Sequence, residues 1–277
     1  MSNILSIDVE EYFHANNIQK IAPVNTWDSL PSRVVNSTKK LLELLEKKSV
    51  KATFFILGYV AKKHPKLIKE IAELGHEIAS HGYMHQIVYQ QTSDEFYEDI
   101  ATSKKLLEDL IGAKVNGYRA PSFSITEKSP WAYAQLCRAG YTYDSSRYPI
   151  WHPRYNNLGQ STQPEVVSTD LGKITVYPLA TTIVDFFGKK VPCPIAGGAY
   201  WRLLPFSYIK WGMKRADKNP INVYYLHPWE IDSEQPRYNE LSKLTQLRHY
   251  GGTARFLSRI DKLTDLFSFQ SFAQVIK

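Results

Sequence analysis

Asp8-Val9-Glu10 sets two carboxylates two residues apart close to the start of the chain. Side chains alternate along a strand, so in an extended segment both would face one side. Two carboxylates that close repel unless a cation lies between them or one keeps its proton. Taken alone, the tripeptide reads equally well as a solvated strand end. His81-Gly82-Tyr83-Met84-His85 is a second group, an i, i+4 pair that would share one face of a helical turn and reach one metal ion. Two imidazoles and one carboxylate leave positions open for water, as catalytic metal sites do. A bare His-x3-His is also common on ordinary surfaces. Arg119, in Arg119-Ala120-Pro121-Ser122-Phe123, could orient a carboxylate through paired hydrogen bonds. His227, in Leu226-His227-Pro228-Trp229, says little by itself.

The elements around these residues decide whether they can meet. Asn3–Val9, Ala52–Leu57, His76–Ser80, Val115–Arg119, Ile174–Leu179 and Asn222–Leu226 read as short apolar strands. Between them the spacing predicts helices. One runs from a Ser32 cap to about Lys48, one from Gly58 to near Gly75, and one from a Thr92 or Ser93 cap to Gly112. Others cover Glu127–Ala139, about Phe206 to Asp217, and Thr253–Asp265. Residues 145–170, rich in Pro, Asn, Ser and Tyr, read as a long surface loop. Strands alternating with helices favour an α/β fold with a mostly parallel sheet, in which sites gather at the carboxyl ends of strands. Asp8, Glu10, His81, His85, Arg119 and His227 all fall at such ends. Core packing alone would not collect those residue types in one layer.

The order Asp-x-Glu, Ser-His-x3-His, Arg-x-Pro-x-Phe, Asp-Ser-Ser, Leu-His-Pro resembles the polysaccharide deacetylase family, the chitooligosaccharide deacetylase-like carbohydrate esterases. The stretch Ser6 to His14 is similar to the opening of its exosortase-associated bacterial branch. The resemblance implies a distorted (β/α) barrel, seven-stranded, spanning 1–277 as one catalytic domain, with 228–277 as a C-terminal extension packed on it. It implies Asp8 as general base, His81 and His85 as metal ligands, Arg119 as the arginine holding the base, and His227 as general acid. The backbone amide near Phe123 matches the oxyanion donor, and Asp144 the carboxylate tuning the acid. The family's usual second aspartate is replaced by Val9, so Glu10 becomes the third metal ligand. The implied cofactor is a divalent metal, zinc foremost. The implied reaction removes N-acetyl groups from a bacterial polysaccharide or its lipid-linked precursor.

Aromatic residues make up 13% of the chain, and many lie in or beside the motif loops. Tyr148, Trp151 and Trp229 are expected to offer faces for sugar rings, and His14 and Arg202 to bind hydroxyl or carbonyl oxygens. His64, His76 and His249 read as bystanders. Two other readings stay open: a hydrolase of another small amide or a sugar O-acetyl ester, and an inactive carbohydrate-binding protein on the same fold.

Composition sets the outer limits. With 277 residues, 43% hydrophobic and 22% charged, the chain is of ordinary globular type, which excludes a disordered or fibrous one. Its net charge of +7 comes from dispersed lysines, so nucleic acid is not an expected partner. No apolar window approaches the roughly 20 residues of a membrane span. Two cysteines define no disulfide framework. The opening residues do not read as a secretory signal, so the cytoplasm is the expected location, including the inner face of the membrane where precursors are built. No signal for an oligomeric state is present.

Overall fold

The computed structural model describes residues 2–153, 157–216 and 219–276. Among them ten strands form in order: β1 (Ser2–Val9), β2 (Thr53–Ile56), β3 (Glu77–Ser80), β4 (Gly117–Tyr118), β5 (Tyr143–Asp144), β6 (Glu165–Thr169), β7 (Gly172–Val176), β8 (Thr181–Phe186), β9 (Lys189–Pro194) and β10 (Ile221–Leu226). β10-β1-β2-β3-β4-β5-β7 make seven parallel neighbours, and β6 lies antiparallel on the β7 edge. The sheet curls, and single parallel bridges, Leu179 to Val223 and Gly197 to Tyr225, tie the segments after β7 back to β10. The result is the distorted (β/α) barrel the sequence leads one to expect.

Parallel strands covered by helices are apolar on both sides, and β1 and β2 follow that rule: Ile4, Leu5, Ile7, Val9, Phe54, Phe55 and Ile56 are all buried. Polar residues within β1 therefore need partners. Ser6 donates its hydroxyl to the Tyr224 carbonyl at 2.7 Å. Among the described residues no helix is long and apolar enough to cross a membrane.

Several elements depart from their expected form. The helix after Ser32 spans Val34–Lys47, but Ser32 does not cap it. Its hydroxyl instead meets Glu11, whose carboxylate accepts the Arg33 and Val34 N–H groups and so serves the helix N-terminus from a distance. The stretch from Gly58 breaks into Gly58–Lys63 and Pro65–Glu73, because Pro65 has no N–H to continue the first helix. The helix at Ser93–Ile111 keeps its expected ends, with a Thr92–Glu95 capping box and Gly112 left-handed at φ 67°. Glu127–Ala139 shortens to Ala132–Arg138.

The supposed loop at 145–170 enters the core at Ser145, Ser146, Tyr148 and Ile150, and ends in β6; its residues 154–156 lie outside the described residues, as does Asp217 of the expected helix. The hairpin β8–β9 and the helix Lys243–Tyr250 had no clear sequence signal. The C-terminal helix Thr253–Leu266 packs on Pro228–Ile231 and on Ala199–Leu203, which lies just after β9.

Gly197 is where the closing segment meets β10. Its φ is +126°, and a Cβ there would stand 1.8 Å from the Tyr225 carbonyl oxygen. Gly197→Ala is expected to lower the unfolding free energy by about 3 kcal/mol, since backbone rather than a flexible side chain would have to move. Chemical denaturation checks this, and an unchanged midpoint would refute the close approach.

Candidate active site

β10 and β1 are neighbours, β3 follows across β2, and the ends of these three strands deliver polar groups to one cleft of about 180 Å³, lined by Asp8, Glu10, His81, His85, Phe123 and His227 among others. Alternation on β1 sends Asp8 and Glu10 to the cleft and Val9 to the hydrophobic core. All three are at most 2% exposed.

The two histidines meet, but not on a helical turn. Residues 81–85 form an irregular loop with Gly82 at φ +76° and His85 at φ +53°. The loop is held from outside by the helix Ser93–Ile111. Asp99 accepts the N–H groups of Tyr83 (2.9 Å) and Met84 (3.4 Å), and Ser103 donates its hydroxyl to the Gly82 carbonyl at 3.0 Å. Burial pushes the Asp99 carboxyl up to about 6, against those N–H groups. Neither residue stood out in the sequence; an Asp at the buried side of an amphipathic helix is the signal they left.

Glu10, His81 and His85 each offer one ligand atom, all within 4.8 Å of one another. His81 Nδ1 lies 2.8 Å from the Arg119 carbonyl oxygen, which assigns the proton to Nδ1 and leaves the Nε2 lone pair for a metal. Glu10 Oε2 stands 2.9 Å from His85 Nε2, yet this buried oxygen has no hydrogen-bond partner among the described residues. An orphaned buried carboxylate oxygen facing two imidazoles is a donor set that fits a divalent cation. Burial alone would raise the Glu10 carboxyl; the imidazoles of His85, His227 and His81 outweigh it and hold the group below the usual carboxylate range. Burial lowers His81 to about 4, so its ring is neutral.

Asp8 is gripped by Arg119, whose Nη1 donates to Asp8 Oδ1 at 2.6 Å and to Ser6 at 2.8 Å. The rest of that fully buried guanidinium is fixed by Ser145, through Nε to its carbonyl (2.9 Å) and Nη2 to its hydroxyl (3.0 Å). His227 Nε2 lies 3.9 Å from Asp8 Oδ2 and 3.5 Å from Glu10 Oε1. On its other side, Nδ1 is 3.0 Å from Glu230 Oε2, and Arg202 Nε donates to Glu230 Oε1 at 2.7 Å. Burial disfavours the charged ring, but Glu10, Glu230 and Asp8 prevail and raise His227 to about 9. Burial would raise Glu230 too; Arg202 and His227 bring it down to about 2.

These contacts redistribute several expected roles. The carboxylate on His227 is Glu230, whereas Asp144 is buried against Ser146, which it bonds through both backbone and hydroxyl. Burial lifts Asp144 to about 6 despite those bonds. Arg202 borders an adjoining hollow of about 260 Å³, but its guanidinium is committed to Glu230 and to the Gly251 and Arg248 carbonyls, so it positions rather than receives. Trp229 does line the cleft and donates its indole N–H to Glu10 Oε1 at 3.1 Å. His249, read as a bystander, stacks on Trp229 at 4.5 Å and 8° and meets Gln235.

His14 and Tyr148 are fully buried and outside the cleft lining. His14 accepts the Glu11 N–H and packs on Trp27, and the Tyr148 hydroxyl accepts the Ala196 N–H. Trp151 is 66% exposed, also outside the lining. Phe123 lines the cleft, but its N–H is donated to the Ala120 carbonyl at 3.1 Å, so this conformation does not present it as an oxyanion donor. Ala15, Asn16, Asn17, Ser122, His152 and Tyr225 complete the lining; of these, Ser122 alone falls inside one of the sequence motifs.

Residues 17–143 match the polysaccharide deacetylase family model, and residues 145–277 match a model described as a domain of unknown function (DUF3473). Residues 17–143 thus carry a polysaccharide deacetylase domain. Asp8 and Glu10 precede the matched stretch, and His227 and Glu230 follow it. The peptidoglycan-N-acetylglucosamine deacetylase of Bacillus cereus is 35% identical over 130 residues, 46% of this chain and 46% of that protein. The Helicobacter pylori peptidoglycan deacetylase is 31% identical over 123 residues, 44% of this chain and 41% of that one. The chain thus spans less than half the length of these curated relatives.

Among solved structures, one from Mycobacterium smegmatis, provisionally named a polysaccharide deacetylase, has a TM-score of 0.63 at 21% identity over 99% of this chain and 88% of that one. A CE4 family pseudoenzyme from Bacillus anthracis has a TM-score of 0.53 at 15% identity, over 100% of this chain and 65% of that one. Likeness at these identities is likeness of fold.

Removing the support of the histidine loop tests the geometry. Asp99→Ala is expected to weaken binding of a divalent cation about 10- to 100-fold while leaving far-ultraviolet circular dichroism unchanged. Calorimetric titration with zinc and cobalt reads this out; undiminished affinity would show that the loop holds its shape without Asp99.

Proposed function

We propose that this chain is a metal-dependent hydrolase that removes N-acetyl groups from a bacterial polysaccharide, an exopolysaccharide or its precursor. The observation that carries the reading is the opening of one buried donor set, Glu10, His81 and His85, onto the same small cleft as Asp8 and His227. The domain match and the named activities of the Bacillus and Helicobacter relatives support it. The likeness to the exosortase-associated branch rests on Ser6 to His14.

We also take residues 1–277 as one catalytic unit, because Asp8, His81 and His227 come from three separate stretches and are useful only together. A cytoplasmic location belongs to the same proposal. Cys137 and Cys193 are unbridged thiols, as a reducing compartment would keep them.

Glu10, His81 and His85 would hold the cation, zinc foremost. When bound, such a cation polarises an acyl oxygen and acidifies water. Asp8 supplies the base. Its Oδ1 is tied to Arg119, which leaves Oδ2 toward the cleft to take a proton from attacking water. His227 supplies the acid. Glu230, locked by Arg202, accepts from Nδ1 and favours the charged ring, so Nε2 holds a proton for the departing amine. An amide needs that proton because an amine anion is a very poor leaving group. Base and acid lie 3.9 Å apart at their closest atoms, so the reacting carbon must sit against both.

Acetate release from N-acetylated chitooligosaccharides and from peptidoglycan tests the reading. The metal-loaded protein is expected to release acetate, and Asp8→Asn and His227→Ala to lower turnover at least 100-fold with metal content unchanged. Full turnover by either variant would remove these two residues from the chemistry. Acetate from esters alone would make the enzyme an esterase.

A further inference from the structure

Away from the cleft, β8 and β9 form a two-stranded ribbon that belongs to no larger sheet. Its outer half is exposed along both strands, and an isolated ribbon of this kind gains little stability in water. Even so, it carries apolar side chains outward. Phe187, at the tip, is 93% exposed in a left-handed conformation at φ 51°. Ile183 and Val191 are exposed on the two strands.

The helix Phe206–Ala216 packs on β8 and extends this face. Gly212 sits against Thr182 and Ile195, which turns Trp211 outward, half-exposed. Arg215 lies over the Trp211 ring at 5.2 Å and donates to the Ile183 carbonyl, so ribbon and helix make one continuous surface.

That surface is strongly cationic. Lys189, Lys190, Lys210, Lys214 and Arg215 lie on the ribbon and helix, and among the described residues none has a carboxylate within 4.0 Å. The one acid on the ribbon, Asp185, accepts the Gly188 N–H and shapes the turn. Exposed aromatic and aliphatic side chains ringed by unneutralised basic ones match an anionic bilayer surface, where the rings enter the headgroup layer and the lysines meet the lipid charge.

We propose that the β8–β9 ribbon and the helix Phe206–Ala216 dock this chain on anionic membrane surfaces. Charge complementarity favours a lipid surface over an apolar protein groove, which would have to bury cations that have no carboxylate partner among the described residues. Contact of this kind is peripheral, in keeping with the lack of a spanning helix among the described residues.

Flotation of the full chain with phosphatidylcholine vesicles, with and without about one third phosphatidylglycerol, tests this. Binding is expected only to the anionic vesicles, and should fall steeply at 0.5 M salt as the charges are screened. Lys189→Glu with Lys190→Glu should weaken it at least about tenfold, and Phe187→Ser severalfold, with unfolding midpoints unchanged because these side chains are exposed. A Phe187→Trp variant should shift its fluorescence to the blue on anionic vesicles. Three outcomes would each overturn the proposal: wild type left unbound by anionic vesicles, equal binding to neutral ones, or variants that bind like wild type.

Discussion

Three carboxylates, Asp8, Glu10 and Glu230, are buried around the His227 ring, each with an oxygen within 3.9 Å of one of its nitrogens, and the rest of the site follows from having to neutralise them. Burying an anion without a partner costs several kcal/mol, so each must be matched. Arg119 matches Asp8, Arg202 matches Glu230, and His227 stands between Glu230 and the other two. Glu10 has the indole N–H of Trp229 and the His227 ring on one oxygen and two imidazoles near the other. Glu10 Oε2 is therefore left without a hydrogen-bond donor among the described residues, and the place it faces, beside two imidazoles, fits a dication. Folding alone would favour an apolar residue at position 10; retaining a carboxylate there makes sense if something else occupies that place.

The same reasoning explains Val9. Alternation on β1 turns position 9 into the hydrophobic core and positions 8 and 10 into the cleft. A carboxylate at 9 on this strand would meet apolar side chains. Glu10, with one methylene more than Asp, reaches the imidazoles from the next cleft-facing position. The unusual spacing is thus a consistent solution for this backbone.

Much of this was legible in the sequence because it depends on local periodicity. Alternation identified the paired carboxylates, apolar runs marked the parallel strands, and the positions just after them predicted which residues would meet. Local pattern gave no account of long-range partners. Glu230 lies three residues beyond His227 in no motif of its own; only the folded position of Arg202 makes it the holder of the acid. His14, Tyr148 and Arg202 have side chains that suit sugar binding, and packing took them elsewhere. The spacing of His81 and His85 suggested a helical turn, but Gly82 and His85 adopt positive φ, and Asp99 on another element supplies the support that helix hydrogen bonds would have given. Short strands such as β4 and β5, two residues each, are defined by their neighbours more than by their own composition.

The account comes down to whether a single cation sits between the Glu10 carboxylate and the two imidazoles. The most direct measurement is anomalous diffraction above and below the zinc edge from crystals of this chain grown with zinc. One strong peak in contact with the Glu10 carboxylate and the imidazoles of His81 and His85, absent from crystals of Glu10→Ala, is the predicted result. Zinc bound only elsewhere, or the same peak persisting without the Glu10 carboxylate, would contradict it.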